Sequence, residues 1–270
     1  MQGRLSPMVN GMIQAFPAAH WKQEFELASQ HAFDLIEWVI DSESLAQNPL
    51  IQEAGRADIA EHINTYGIAV PYVCCDFLMT DSIQKTQPDQ AFAARPLLEH
   101  LVKSAPEIGV IALELPLLGA SDIDQQPAYD EAVRYLQELQ PLLEDSGCRL
   151  LLEVGVSSKR TAELMDRLNT DWIQLNYDTG NSAFWQRDTE EEFRLFGDCI
   201  GNVHIKDCTP EAYSVALGEG CVDFDLTFSL LKKHSYQGDF VLQTARGEND
   251  VETAVGFLNF TKEHLDRMFL

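Results

Sequence analysis

Glu153, Asp178, His204 and Gln243 each close a short apolar run in the second half of the chain. The runs are Leu150-Leu151-Leu152-Glu153, Ile173-Gln174-Leu175-Asn176-Tyr177-Asp178, Ile200-Gly201-Asn202-Val203-His204 and Phe240-Val241-Leu242-Gln243. Together these residues offer carboxylate, imidazole and amide donors and no thiolate, a set that suits a divalent cation such as Mn²⁺ or Mg²⁺ better than a soft metal. Singly, each has a plain structural explanation. Glu153 could be a strand-end charge meeting solvent, Asp178 part of an Asp-Thr-Gly turn, and His204 a hydrogen-bonded core histidine. Jointly they resist it, because uncompensated buried carboxylates are costly and a cation would compensate them.

Strand ends converge in this way at the C-terminal face of a β/α barrel, and the order of elements agrees. Helical stretches are expected at Trp21–His31, Ile51–Tyr66 (stopped by Gly67), Ala91–Ile108 despite Pro96 and Pro106, Ala128–Asp145, Ser157–Leu168, Glu190–Phe196, Asp225–His234 and Val251–Phe269. Strands are expected at Phe33–Ile40, Ile68–Val73, Val110–Leu115, Arg149–Glu153, Trp172–Asp178, Ile200–Ile205 and Phe240–Gln243, and a polar loop at Asp81–Asp89. Strands alternating with helices of this length imply a parallel sheet. Counting the opening residues as a clipped first strand gives eight units, and no low-complexity linker divides them. The expected fold is therefore α/β, a (β/α)8 TIM barrel forming a single domain over residues 1–270.

Of the 270 residues, 43 are acidic and 19 basic, for a formal charge of -24. Such a surface repels phosphate backbones and anionic membranes, so neither nucleic acid nor membrane is expected as a partner. No apolar run approaches the ~18 residues of a membrane span. The opening residues lack the apolar region of a signal peptide. The six cysteines include no C-x-x-C pair and read as free thiols in a reducing compartment, so a cytoplasmic location is expected. Assembly into a homo-oligomer is compatible with the sequence, which does not set it.

The chain resembles the xylose isomerase-like barrels and, within them, the sugar phosphate isomerase/epimerase group. Carrying the resemblance are Leu151-Leu152-Glu153, Asp178-Thr179-Gly180-Asn181, His204-Ile205-Lys206-Asp207, the Leu217–Phe224 segment and the opening Gln2-Gly3-Arg4-Leu5. It implies a metal held by Glu153, Asp178, His204 and position 243, with Mn²⁺ the first expectation and Mg²⁺, Co²⁺ or Zn²⁺ as alternatives. The group has glutamate at the last position, where this chain has Gln243. Glutamine coordinates through its carbonyl oxygen but cannot act as a base near neutral pH. The metal site is thereby kept while one half of a two-base mechanism is lost.

The function expected is a divalent-metal-dependent isomerase or epimerase of a small sugar or sugar phosphate, working through a metal-stabilised enediolate with Glu153 as ligand and base. One base on one face suffices for aldose–ketose isomerisation. Inverting a carbon calls for a group on each face, so Gln243 tilts the expectation toward an isomerase, or toward an epimerase that recruits a residue such as Glu114. Glu37, Glu114, Asn181, Lys206 and Arg246 are candidate substrate contacts, the two cations standing where barrels often hold phosphate. Two other functions compete. Metal-assisted phosphodiester hydrolysis fits poorly with seven histidines and a charge of -24, and a barrel that binds a sugar-like ligand without turnover would account for Gln243.

Overall fold

The computed structural model describes residues 1–84 and 94–269. Seven strands form one parallel sheet: β1 (Leu35–Val39), β2 (Ala69–Cys74), β3 (Ala112–Leu117), β4 (Arg149–Val154), β5 (Ile173–Asp178), β6 (Ile200–Ile205) and β9 (Phe240–Leu242), adjacent in that order. A two-stranded antiparallel hairpin, β7 (Asp207–Thr209) and β8 (Ala212–Val215), interrupts the series. The helices are α1 (Trp21–Gln30), α2 (Glu53–Tyr66), α3 (Ala94–Ser104), α4 (Gln126–Ser146), α5 (Ser158–Leu168), α6 (Thr179–Phe184), α7 (Thr189–Phe196), α8 (Phe224–Lys233) and α9 (Asp250–Phe269).

The opening residues occupy the seam between β9 and β1. Gln2 N donates to Leu242 O at 3.3 Å, Glu37 N to Met1 O at 2.8 Å and the Met1 amino group to Leu35 O at 3.2 Å. The segment is too short to form a regular strand, but it joins both edges of the sheet, and the barrel nearly closes.

Alternation along the strands creates two cores. Ile36, Trp38, Val73, Leu113, Leu115, Leu150, Leu152 and Leu242 belong to the large cluster packed with the helices. Tyr72, Ala112, Leu151 and Val241, with Leu35 beside them, form a separate small plug on the other face of the sheet, inside the barrel. Because side chains on a strand repeat every two residues, the next inward positions are Glu37, Cys74, Glu114, Glu153 and Gln243. A polar layer thus sits one step above an apolar floor.

Pro96 lies within the first turn of α3, where its missing N–H costs no helical hydrogen bond. Pro106 opens a separate 3-10 turn, Ala105–Ile108, so the expected single helix ends at Ser104. Residues 91–93 of that expectation, and 85–89 of the expected loop, lie outside the described residues. Gly67 takes φ +69° and stops α2, as expected of a left-handed C-terminal residue. No helix among the described residues is long and apolar enough to cross a membrane.

Candidate metal centre and cavity

Asp178 ends β5, and Glu153 and His204 each lie one residue before the ends of β4 and β6. Asp178 and His204 are register partners in adjacent parallel strands. One ligand atom from each of the three residues lies within 4.8 Å of the others, and all three residues are buried.

The surroundings of His204 indicate what the cluster can hold. Its Nε2 lies 3.0 Å from Oε1 and 3.2 Å from Oε2 of Glu37, a side chain with no exposure. Nδ1 is buried with no hydrogen-bond partner, 3.6 Å from Oε2 of Glu153. With Nε2–H donating to Glu37, the Nδ1 lone pair faces the carboxylate of Glu153, an arrangement that is repulsive unless a proton or a cation lies between them. A carboxylate behind a histidine whose other nitrogen is free is the usual outer shell of a metal ligand. The donor set fits a divalent cation.

Electrostatics agree. Burial, followed by the Asp178 carboxylate, pushes the Glu153 carboxyl up to about 7, against the pull of His204 and Lys206. Burial lowers the His204 imidazole, but the charge and hydrogen bond of Glu37 outweigh it, and the net displacement is upward. Burial, then the charges of Glu153 and Glu37, hold Glu114 well above the usual carboxylate range. Each is the signature of crowded negative charge that a cation would relieve.

Around this cluster the polar side chains are tightly engaged. Glu153 accepts from Asn176 Nδ2 at 3.1 Å and from Asn181 Nδ2. Asp178 Oδ1 caps α6 by accepting from Asn181 N at 2.8 Å. Lys206 Nζ donates to Asn181 Oδ1 at 2.8 Å, lies 3.4 Å from Asp178 Oδ2, and sits 3.6 Å from the centroid of the Tyr213 ring. The Tyr213 hydroxyl also donates to Asn181 Oδ1. Asn181, expected at the substrate, instead bridges Glu153, Lys206 and Tyr213.

A cavity of about 120 Å³ opens over the cluster, bordered among others by Arg4, Gln14, Asp76, Glu114, Glu153, Lys206, Tyr213, Ser214 and Gln243. Glu114 and Lys206, both candidate substrate contacts, border it. Gln243 borders it with Nε2 donating to Gln14 Oε1 at 3.1 Å. Glu37 is not in its lining, because its carboxylate is spent on His204 and on Gln2 Nε2 at 2.9 Å.

Arg246, also a candidate substrate contact, is not among the residues that border the cavity. Its guanidinium donates to the carbonyls of Gly3 at 2.7 Å, Ser6, and Ile13 at 3.3 Å, and pairs with Asp250 at 3.0 Å. It clamps the opening segment and leaves the cavity to Arg4. Arg4 donates to Gln2 O and Thr244 O, both at 2.9 Å, and burial, then Arg246, lower it to about 10.

Several lining residues were not foreseen. Asp76 lies two residues past Cys74, so strand parity was a usable signal for it. Gln14 Nε2 donates to it at 2.9 Å, and burial, then Asp41, raise its carboxyl to about 6. Tyr213 and Ser214 arrive on the β7–β8 hairpin, which no apolar periodicity announces. The Gly218–Val222 loop turns inward. The Asp207 carboxylate accepts from the backbone N–H groups of Gly218 and Gly220 at 2.9 Å each and of Val222 at 3.2 Å. A Cβ at Gly220 would meet Asp207 Oδ1 at 2.1 Å, so only glycine fits there.

The sequence model of one family, described as xylose isomerase-like TIM barrel, matches residues 25–261. Among curated proteins, the L-ribulose-5-phosphate 3-epimerase UlaE of Shigella boydii is 27% identical over 249 residues, covering 85% of this chain and 84% of the relative. Among solved structures, an L-ribulose 3-epimerase superposes with a TM-score of 0.74 at 17% identity, covering 95% of this chain and 93% of its own. The IOLI protein, solved with a binding zinc atom, gives 0.72 at 18%, covering 92% and 94%. At these identities the two structures speak for the fold alone.

Proposed function

We propose that this chain, which belongs to the xylose isomerase-like TIM barrel family, is a divalent-metal-dependent isomerase or epimerase of a small sugar or sugar phosphate. The observation that carries the reading is the buried Glu153–Asp178–His204 cluster, with its orphaned Nδ1, beneath a cavity. These three residues would hold the cation, with the Oε1 of Gln243 as a fourth donor; Mn²⁺ is the metal of choice for such oxygen and imidazole ligands. When bound, the cation supplies Lewis-acid polarisation of a carbonyl and its neighbouring hydroxyl.

Glu153 is the proton carrier. It takes the proton from the hydroxyl-bearing carbon beside the carbonyl and returns it to the former carbonyl carbon, which gives the isomerised sugar. A carboxyl at about 7 in the metal-free protein is already poised for exchange near neutral pH, although a cation pulls it down. The amides of Asn176 and Asn181 fix its rotamer, and Lys206 balances Asp178. By holding Nε2, Glu37 leaves the Nδ1 of His204 free and would keep it available to a cation bound there. Because Gln243 cannot carry a proton, the chemistry favoured is transfer on one face, and so aldose–ketose isomerisation. The names of the epimerase relatives support the alternative, inversion at one carbon, which needs a second proton carrier such as Glu114. Free thiols at all six cysteines support a reducing, cytoplasmic setting.

The test is solvent exchange. The Mn²⁺-loaded protein is incubated with ketopentoses and ketohexoses, free and phosphorylated, in D₂O and followed by NMR. Deuterium at the carbon beside the carbonyl, together with the stereochemistry of the product, reports isomerase or epimerase. Binding without any exchange would refute turnover and leave a sugar-binding barrel.

A further inference from the structure

Resting on the sugar-isomerase reading above, we infer that the site takes an unphosphorylated sugar, selected by hydroxyl-matching groups in the cavity and closed to a phosphate by occupied anion donors.

Three features that could receive a phosphate are already in use. Barrels commonly bind phosphate on backbone N–H groups in the loops after the seventh and eighth strands. Here the seventh strand is β6, and the loop that follows its hairpin spends the N–H groups of Gly218, Gly220 and Val222 on Asp207. That carboxylate is fully buried and takes a fourth N–H, from Cys208 at 2.9 Å. An internal anion therefore fills the nest that an external one would need. Arg246, beyond the last strand, is committed to three main-chain carbonyls and Asp250. Lys206 is committed to Asn181, Asp178 and the face of Tyr213. Arg4 does border the cavity, but it stands there with Asp76 and Glu114, whose carboxyls share the lining.

The unspent polar atoms point the other way. Glu114 Oε1 and Ser214 Oγ are buried, lack partners and belong to residues that border the cavity. The Glu114 carboxyl oxygen matches a sugar hydroxyl and is a poor partner for a phosphate dianion, while the Ser214 hydroxyl can both donate to and accept from a sugar hydroxyl. A ligand that satisfies such groups is favoured over one that leaves them unpaired. The amides of Gln14 and Gln243, joined by one hydrogen bond, add further uncharged polar groups to the lining.

The experiment uses the full-length Mn²⁺-loaded protein and matched pairs, a ketopentose and its 5-phosphate, then a ketohexose and its 6-phosphate. The expected result is a kcat/KM for deuterium exchange at least about 100-fold higher for the free sugar, the size of effect a buried unpaired polar group can impose. Ser214→Ala, on an outer hairpin, should raise KM for the free sugar by about tenfold with kcat little changed. Equal or better turnover of the phosphate ester would overturn the inference while leaving the isomerase reading intact. If neither member of a pair exchanges, the isomerase reading fails, and calorimetric binding of the same pairs decides the ligand class. Tighter binding of the free sugar supports the inference; tighter binding of the phosphate ester overturns it.

Discussion

Removing the cation should make stability fall as pH rises, and Glu153 sets the scale. Its carboxyl is fully buried, and burial, then Asp178, displace it from 4.5 to about 7. A carboxyl whose folded value lies above its unfolded one contributes stability that is complete below about 4.5 and lost as pH climbs through about 7. That interval, at about 1.4 kcal/mol per pH unit, corresponds to roughly 3 kcal/mol. For a domain of this size the loss translates into a fall in Tm of roughly 6–10 °C. His204 and Glu114 are displaced upward too, so their contributions share the sign. Cation binding needs Glu153 ionised and Nδ1 unprotonated, so stabilisation by saturating Mn²⁺ should grow over the same range. Urea unfolding between about pH 5 and pH 8, in EDTA and in Mn²⁺, measures both trends. Glu153→Gln isolates the contribution of this carboxyl from the background of a chain carrying a charge of -24. Its stability in EDTA should fall with pH less steeply than that of the wild type, by roughly 3 kcal/mol over the range. Parallel curves for the two proteins would refute the assignment of the buried charge to Glu153.

Asp178→Ala and His204→Ala should each strip divalent metal from the purified protein, which metal analysis reads directly; full metal content in both would mean that the cluster is not the site. Glu153→Gln should retain metal through its amide oxygen but lose about 10²–10⁴ in deuterium exchange, and intact exchange would move the proton carrier elsewhere. Gln243→Glu should keep the metal and add or improve epimerisation, visible as a second stereoisomer by NMR. Arg246→Gln should cost about 1–3 kcal/mol in stability, because the partly buried carbonyls of Gly3 and Ser6 lose their donor, with KM unchanged; a rise in KM without a loss of stability would restore it to the substrate.

Much of the site was legible because barrel strands are short and parallel, which makes the position at a strand end a spatial coordinate. Glu153, Asp178 and His204 could be placed in register from apolar runs alone. Side-chain destination was less legible. Arg246 and Lys206 stand equally well placed in the sequence, yet one ties down Gly3 and Ser6 while the other borders the cavity. Long cations reach in many directions, and the partner is chosen by tertiary contact. Glu37 was found by its strand position, but its role behind His204 depends on a contact across 167 residues. The β7–β8 hairpin escaped notice because its residues are mixed in polarity and carry no period. The six-residue α6 was hidden inside what reads as a turn, its start fixed by the Asp178 side chain on Asn181 N.

The seam of the barrel has a consequence for synthesis. Gln2 pairs with Leu242, Arg4 reaches Thr244 across 240 residues, and Arg246 returns to Gly3 and Ser6. These are among the most sequence-distant contacts the chain can make, and such contacts are the slow ones in folding. At 5–20 residues per second, a ribosome needs roughly 10–50 s to deliver the second half of each pair after the first. Throughout that interval the opening segment, paired on one side with β1, presents an open edge on the other, the kind of edge that recruits strands from other chains. Chaperone demand in this protein should therefore concentrate on the segment around Gln2–Ser6, whose partners near residues 242–246 are made long after it.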